Sequence, residues 1–181
     1  MNSMKKWFLK NWLKWRVTWS NCKNKGDVID IVVTETIDPR DTAFLTKLRA
    51  LAKTVYSKFI WTMDNAEDLF DCMRTPARCY SEFKQGTLKD DCDGFHACIM
   101  QILKESNIDS VLLTYMVPDL NDCHTILVAK NNNTYYKIDY TTVTKYASLE
   151  LLVNGIKEKH PDLIAYNLVK FDKKYYVVEN F

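Results

Sequence analysis

Apolar residues recur at helical spacing in the first half of the chain, and β-branched runs broken by turn residues fill the second half. Residues 4–20 predict a helix, because Phe8, Trp12, Trp15 and Trp19 fall at i, i+4, i+7 and i+11. Asn24-Lys25-Gly26-Asp27 signals a turn, and the run 28–36 is rich enough in Val, Ile and Thr to predict a strand. Asp38 as N-cap and Pro39 at the first helical position then predict a long amphipathic helix. Phe44, Leu48, Leu51, Val55 and Phe59 carry it to about Trp61. The stretch 64–89 is irregular, with a break before Pro76 and a short helix expected over 77–83. Phe95, Ile99, Ile102 and Leu103 give an apolar face to a helix that opens at Cys92 and ends near Ser106-Asn107.

The period then changes. Residues 111–117, 124–129 and 134–140 predict strands, and the short Asn131-Asn132-Asn133 connection makes the last two an antiparallel hairpin. A helix follows over 147–158, stopped by His160-Pro161, and a second hairpin joins 163–171 to 175–179 around Asp172-Lys173. Helices first and antiparallel strands after describe an α+β fold rather than alternating α/β.

Length changes this picture little: 181 residues suit one domain, 27–181, with a basic, Trp-rich helical extension at 1–26. Charge changes it more. The overall balance is only +2, yet residues 1–25 hold seven Lys or Arg and no acid. The remaining 18 basic against 23 acidic residues leave the body at −5, which makes nucleic acid an unfavoured partner. No apolar run of signal-peptide or transmembrane length occurs, and the six cysteines form no CxxC pair. Reduced thiols in the cytoplasm are therefore expected. Cys72, Cys79, Cys92 and Cys98 with His96 match no common zinc spacing, so neither a metal nor any other cofactor is expected.

Cys92 is the candidate centre of chemistry. A thiol in the first turn of a helix meets free N–H groups and partial positive charge, both of which favour the nucleophilic thiolate. Nucleophilic catalysis also needs a base and a group that orients it. His124 and Asp139 meet that need: with the hairpin centred between 131 and 132, they stand nearly opposite on one face, with Cβ atoms ~5 Å apart. His96, four residues after Cys92, shares its helical face and is a competing base. The blander reading of His96 is a half-buried ring donating to a backbone carbonyl or to Asp93. It is preferred, because a base on the nucleophile's own helix leaves Asp139 without a role. His160 is read as a surface cap interaction. Gln85 is a candidate oxyanion donor, Tyr80 and Trp61 are others, and His96 is a candidate supporting residue beside the site.

These residues resemble a known family. Asp91-Cys92-Asp93-Gly94-Phe95 is similar to the nucleophile motif of the transglutaminase-like cysteine peptidase superfamily. His124-Thr-Ile-Leu-Val looks like its catalytic His strand, and Tyr135-Tyr136-Lys137-Ile138-Asp139 like the strand that ends in its catalytic Asp. Arg74-Thr75-Pro76 and Gln85-Gly86 resemble the approach to the Cys in the bacterial transglutaminase-like peptidases. The likeness covers roughly residues 40–142. Asp90, His96 and Tyr140-Thr141 depart from it, standing where a Gly, a small residue and a Pro are usual. The resemblance implies a papain-like core, with the nucleophile's helix packed on an antiparallel sheet, and a Cys92–His124–Asp139 triad. It implies acyl transfer from a peptide or protein amide, to water in a peptidase or to an amine in a transglutaminase.

Other readings stand beside that one. The same fold serves as a binding module without turnover, with the Trp-rich helix as its working surface. Trp12, Trp15 and Trp19 with the interleaved Lys residues suit a protein partner, a membrane surface or a nucleic-acid arm. Docking of the Trp stripe onto the domain is preferred, since large aromatic stripes are usually core.

Overall fold

The computed structural model describes residues 3–25, 31–62, 72–119, 123–172 and 174–179. The boundary expected at 26/27, the first residues of the expected strand 28–36, part of the irregular stretch 64–89, the end of the 118–122 loop and Lys173 lie outside them. The chain runs α1 (Ser3–Lys23), α2 (Phe44–Tyr56), β1 (Ile60–Trp61), α3 (Pro76–Gln85), β2 (Lys89–Asp90) and α4 (Cys92–Glu105). It continues with β3 (Asp109–Met116), β4 (His124–Asn131), β5 (Thr134–Asp139), β6 (Thr142–Tyr146), α5 (Leu149–Lys159), β7 (Ala165–Asp172) and β8 (Tyr175–Glu179).

Six strands form one antiparallel sheet in the order β6-β5-β4-β3-β7-β8. The side chains alternate between its faces. Leu112, Leu127, Ala129, Ile138 and Val169 join Leu48, Phe83, Phe95, Ile99 and Leu103 of the helices in one core. Val111, Leu113, Ile126, Val128 and Leu168 pack on Leu152, Val153 and Ile156 of α5 instead. Covered on both faces, β3 is buried without alternation from Ser110 to Met116. The α+β class expected from the sequence is what the chain adopts.

Several elements differ from expectation for identifiable reasons. The helix expected over 39–61 is only Phe44–Tyr56. Asp38 is occupied by Arg40, accepting from its backbone N–H and its guanidinium, and Asp41 closes the turn by accepting from Ala43. Past Ser57 the chain turns so that Ile60 and Trp61 pair in parallel with Lys89 and Asp90. Phe59 therefore reaches Phe95 (ring centroids 5.2 Å) from outside the helix. Residues 31–36 form no strand, because side chains hold their backbone instead: Thr34 N–H donates to Tyr80 Oη. α3 is longer than expected, with Thr75 as N-cap, Pro76 at its start and Gly86 at φ 71 closing it.

β6 has no counterpart in the sequence reading. It follows a tight turn at Tyr140-Thr141, with Asp139 paired to Thr142. Tyr140 takes the left-handed conformation (φ 46) normally left to Gly or Asn, so the usual turn signal is missing.

The Trp stripe of α1 does not dock. Leu13, Arg16, Val17 and Ser20 are the buried residues, whereas Trp15 and Trp19 are 41% and 40% exposed and Trp12 is half-buried. The spacing 13, 16, 17, 20 is itself a helical stripe, and it faces β7 and β8. Asn21 fixes the docking: its amide donates to Tyr176 O and its Oδ1 accepts from Tyr176 N–H.

Candidate functional site

Asp91 sets the start of α4. Its backbone is extended and its Oδ1 accepts from Asp93 N–H at 3.0 Å, an N-cap that leaves Cys92 as the first helical residue. Gly94 is required one turn in, where a Cβ would come within 1.9 Å of Asp90 Oδ2. Cys92 is partly exposed, and its Sγ accepts from the backbone N–H of Thr125 at 3.3 Å. The sulfur therefore lies at the residue that follows His124. A helix N-terminus and a donated N–H both favour negative charge on sulfur.

His124 Nε2 and Asp139 Oδ1 are 3.0 Å apart. They are not direct cross-strand partners. Asn131 pairs with Thr134 and Leu127 with Ile138, so the register sets Asp139 against Ile126, two residues along from His124. A shift of two keeps both side chains on one face, and the diagonal is within reach of a His and an Asp. With Nε2 turned to Asp139, Nδ1 is the ring nitrogen free to serve a thiol. The ring is held by Tyr140, stacked at 5.6 Å, and by Tyr115, edge-on at 5.9 Å. Burial works against the Asp139 charge, but the His124 hydrogen bond and the nearby Lys137 ammonium hold its carboxyl at about 2. Lys137 Nζ stands 3.5 Å from Asp139 Oδ2, so both carboxylate oxygens are engaged.

His96 takes the blander of its two roles, more deeply buried than expected. It is fully buried, and its Nδ1 meets the Cys92 carbonyl while its Nε2 accepts from Tyr140 N–H at 3.3 Å. One neutral tautomer, Nδ1–H, satisfies both contacts. Burial, with the neighbouring His124, depresses its pKa to about 3, so it stays uncharged. It ties the first turn of α4 to the β5–β6 turn.

Gln85 is not brought to the sulfur. It is exposed at the end of α3, where its amide bonds Ser81 Oγ at 3.3 Å. Tyr80 is also committed elsewhere, donating its hydroxyl to Glu35. Trp61 lies nearer: it is 55% exposed, pairs with Asp90, two residues before Cys92, and lies beside the Tyr140 hydroxyl. His160 stacks beside Tyr115, with Nε2 3.3 Å from its hydroxyl.

Two arginines balance the acids around Cys92. Asp90, Asp91 and Asp93 bring carboxylate oxygens within 4.8 Å of one another. Arg74 Nε answers Asp90 at 3.1 Å, and Arg16 Nη2 answers Asp93 at 3.2 Å. Burial works to raise the Asp91 carboxyl, and the bond from Asp93 and the Arg16 cation outweigh it, so its pKa falls. An ion-pair lattice built around guanidinium groups accounts for this cluster. Arg16 also donates to Thr114 Oγ1 at 3.2 Å, and Thr114 bonds Thr125 Oγ1 at 2.9 Å. No local pattern announces this link between residues so far apart, although Arg16 does fall on the 13, 16, 17, 20 stripe. Cys79 and Cys98 are core thiols whose pKa burial pushes up, and none of the six cysteines is disulfide-bonded.

A cleft of about 860 Å³ between α1, α5 and β7–β8 shares no residue with the Cys92 cluster. Comparisons with protein-family models, with curated proteins and with solved structures return no match.

Proposed function

We propose that the chain is a thiol-dependent acyl-transfer enzyme, a cysteine peptidase or amidase, acting on a peptide or protein amide through Cys92, His124 and Asp139 on a papain-like, transglutaminase-like core. The observation that carries this reading is the pair of contacts at one strand end: Asp139 on His124 Nε2 at 3.0 Å, and the neighbouring Thr125 N–H on Cys92 Sγ at 3.3 Å.

In this reading His124 Nδ1 takes the Cys92 proton, and the thiolate attacks the amide carbon. The N–H groups at the start of α4 stabilise the oxyanion. His124 then protonates the leaving amine as the C–N bond breaks and a thioester forms. Water, deprotonated by His124, attacks the thioester and releases the acid and the thiol. Asp139 keeps the ring in its tautomer and stabilises the imidazolium. The exposed rings of Tyr56 and Trp61, close to Tyr140, offer apolar contact to an extended peptide.

The test is the rate of Cys92 alkylation by iodoacetamide against pH. Reactivity persisting well below the ordinary thiol range near 8.5, and falling at least about tenfold at pH 6 in His124→Ala, is expected. A wild-type rate that tracks an ordinary thiol and ignores His124→Ala would sink the reading.

A further inference from the structure

The outward face of α1 takes no part in the chemistry above. At about 100° per residue, Met4, Phe8, Trp15 and Trp19 fall within about 60° of one another, on the side away from the docked Leu13, Val17 and Ser20. They are 71%, 47%, 41% and 40% exposed, and Trp7 beside them is 59% exposed. The rings form one patch, because Trp7 and Phe8 meet Trp15 edge-on at 6.2 and 5.7 Å. Lys14 and Lys23 are exposed along its flanks, with Lys23 Nζ 5.3 Å from the Trp19 ring centroid.

We infer that α1 is an in-plane docking helix for an anionic lipid surface, with the Trp and Phe rings at headgroup depth and the lysines against lipid charge. The charge pattern selects this occupant. Seven basic residues and no acid lie in 1–25, against −5 in the remainder, so the field of the molecule turns α1 toward an anionic surface and the body away. Indole rings suit an interface that is apolar on one side and wet on the other. The helix lies on the surface and does not cross it, since no helix of the described residues is long and apolar enough. A second copy meeting α1 with its own α1 would bring like charge against like charge. Single-stranded nucleic acid needs open ring faces to stack on, and here Trp7, Phe8 and Trp15 present edges to one another while Lys23 covers Trp19. None of this depends on the chemistry of Cys92.

The test is cosedimentation of the full chain with vesicles of phosphatidylcholine alone and of phosphatidylcholine with phosphatidylglycerol. Binding at least about tenfold stronger to the anionic vesicles is expected, weakening with salt and accompanied by a blue shift of Trp emission. Trp15→Ala with Trp19→Ala should cut binding about tenfold at an unchanged melting temperature, because both rings lie off the docked face. Lys14→Glu with Lys23→Glu, which keeps the rings, should remove the preference for anionic lipid. Absence of wild-type binding to anionic vesicles overturns the inference, as does binding that neither double variant alters. Loss of self-association or of single-stranded DNA binding in these variants, without vesicle binding in the wild type, overturns it in favour of those partners.

Discussion

Arg16 on α1 meets Asp93, the residue after Cys92, at 3.2 Å, with side chains 3% and 2% exposed. The N-terminal helix thus reaches the start of α4. Removing one partner of a buried pair leaves the other charged and unanswered, which typically costs about 3–5 kcal/mol. Arg16→Met should lower stability by that order in urea denaturation. Replacing both, as Arg16→Met with Asp93→Leu, should recover much of the loss. A loss near zero in Arg16→Met would mean that water reaches Asp93.

Gly94 sets two effects against each other. Ala is normally better than Gly inside a helix by about 1 kcal/mol. Here the added Cβ would overlap Asp90 Oδ2, Cγ and Cβ at 1.9, 2.3 and 2.5 Å. Overpacking of this kind typically costs about 1–3 kcal/mol, so the clash wins and Gly94→Ala should destabilise. The three nearest obstructing atoms lie beyond the Asp90 Cα. In an Asp90→Gly background the same substitution should therefore become neutral or stabilising. Thermal melts of the four combinations read the sign directly.

His96 makes stability depend on pH. Its folded pKa of about 3 lies below the ordinary 6.5, so between these values the unfolded chain binds the proton more readily. Its contribution is complete above pH 6.5 and is lost as pH falls toward 3, with nothing further lost below. Over that span the loss is on the order of a few kcal/mol. His96→Gln removes the titrating group. Melting temperatures at pH 4, 5.5 and 7 should rise with pH in the wild type and run flatter in the variant.

The helix that opens at Cys92 was legible because its apolar face, Phe95, Ile99, Ile102 and Leu103, is written in neighbouring residues. The His124–Asp139 contact was legible for a different reason. Misplacing the hairpin centre by one residue shifts the register by two, and a shift of two preserves the face. Much of what failed depended on distant partners. The run 28–36 has strand composition, yet its described part bonds the side chains of Tyr80 and Lys84 on α3. A Trp stripe usually means core, but the inner face of α1 was claimed by Leu13, Val17 and an Arg with a carboxylate waiting for it. β6 was missed because Tyr140 makes a turn that Tyr rarely makes.

Asp139 offers the most direct reading of the candidate site in solution. Burial alone would raise its carboxyl pKa, and the His124 hydrogen bond and charge are the first influences that bring it down to about 2. The sign follows from that depression: its stabilising contribution is present above the unfolded carboxylate value near 3.9 and is lost as pH falls through about 2. His124→Ala takes away both the hydrogen bond and the charge while leaving the burial. The Asp139 carboxyl should then titrate higher, above its wild-type midpoint and toward or beyond the free-carboxylate range. Carbon-13 NMR of the side-chain carboxyl across pH 2–6 follows this at one atom. Lys137→Met should move the midpoint in the same direction but less, since Lys137 is the more distant partner at 3.5 Å. A midpoint unchanged by His124→Ala would mean that the two groups are not paired in solution, and would remove the contact on which the proposed proton transfer from Cys92 depends.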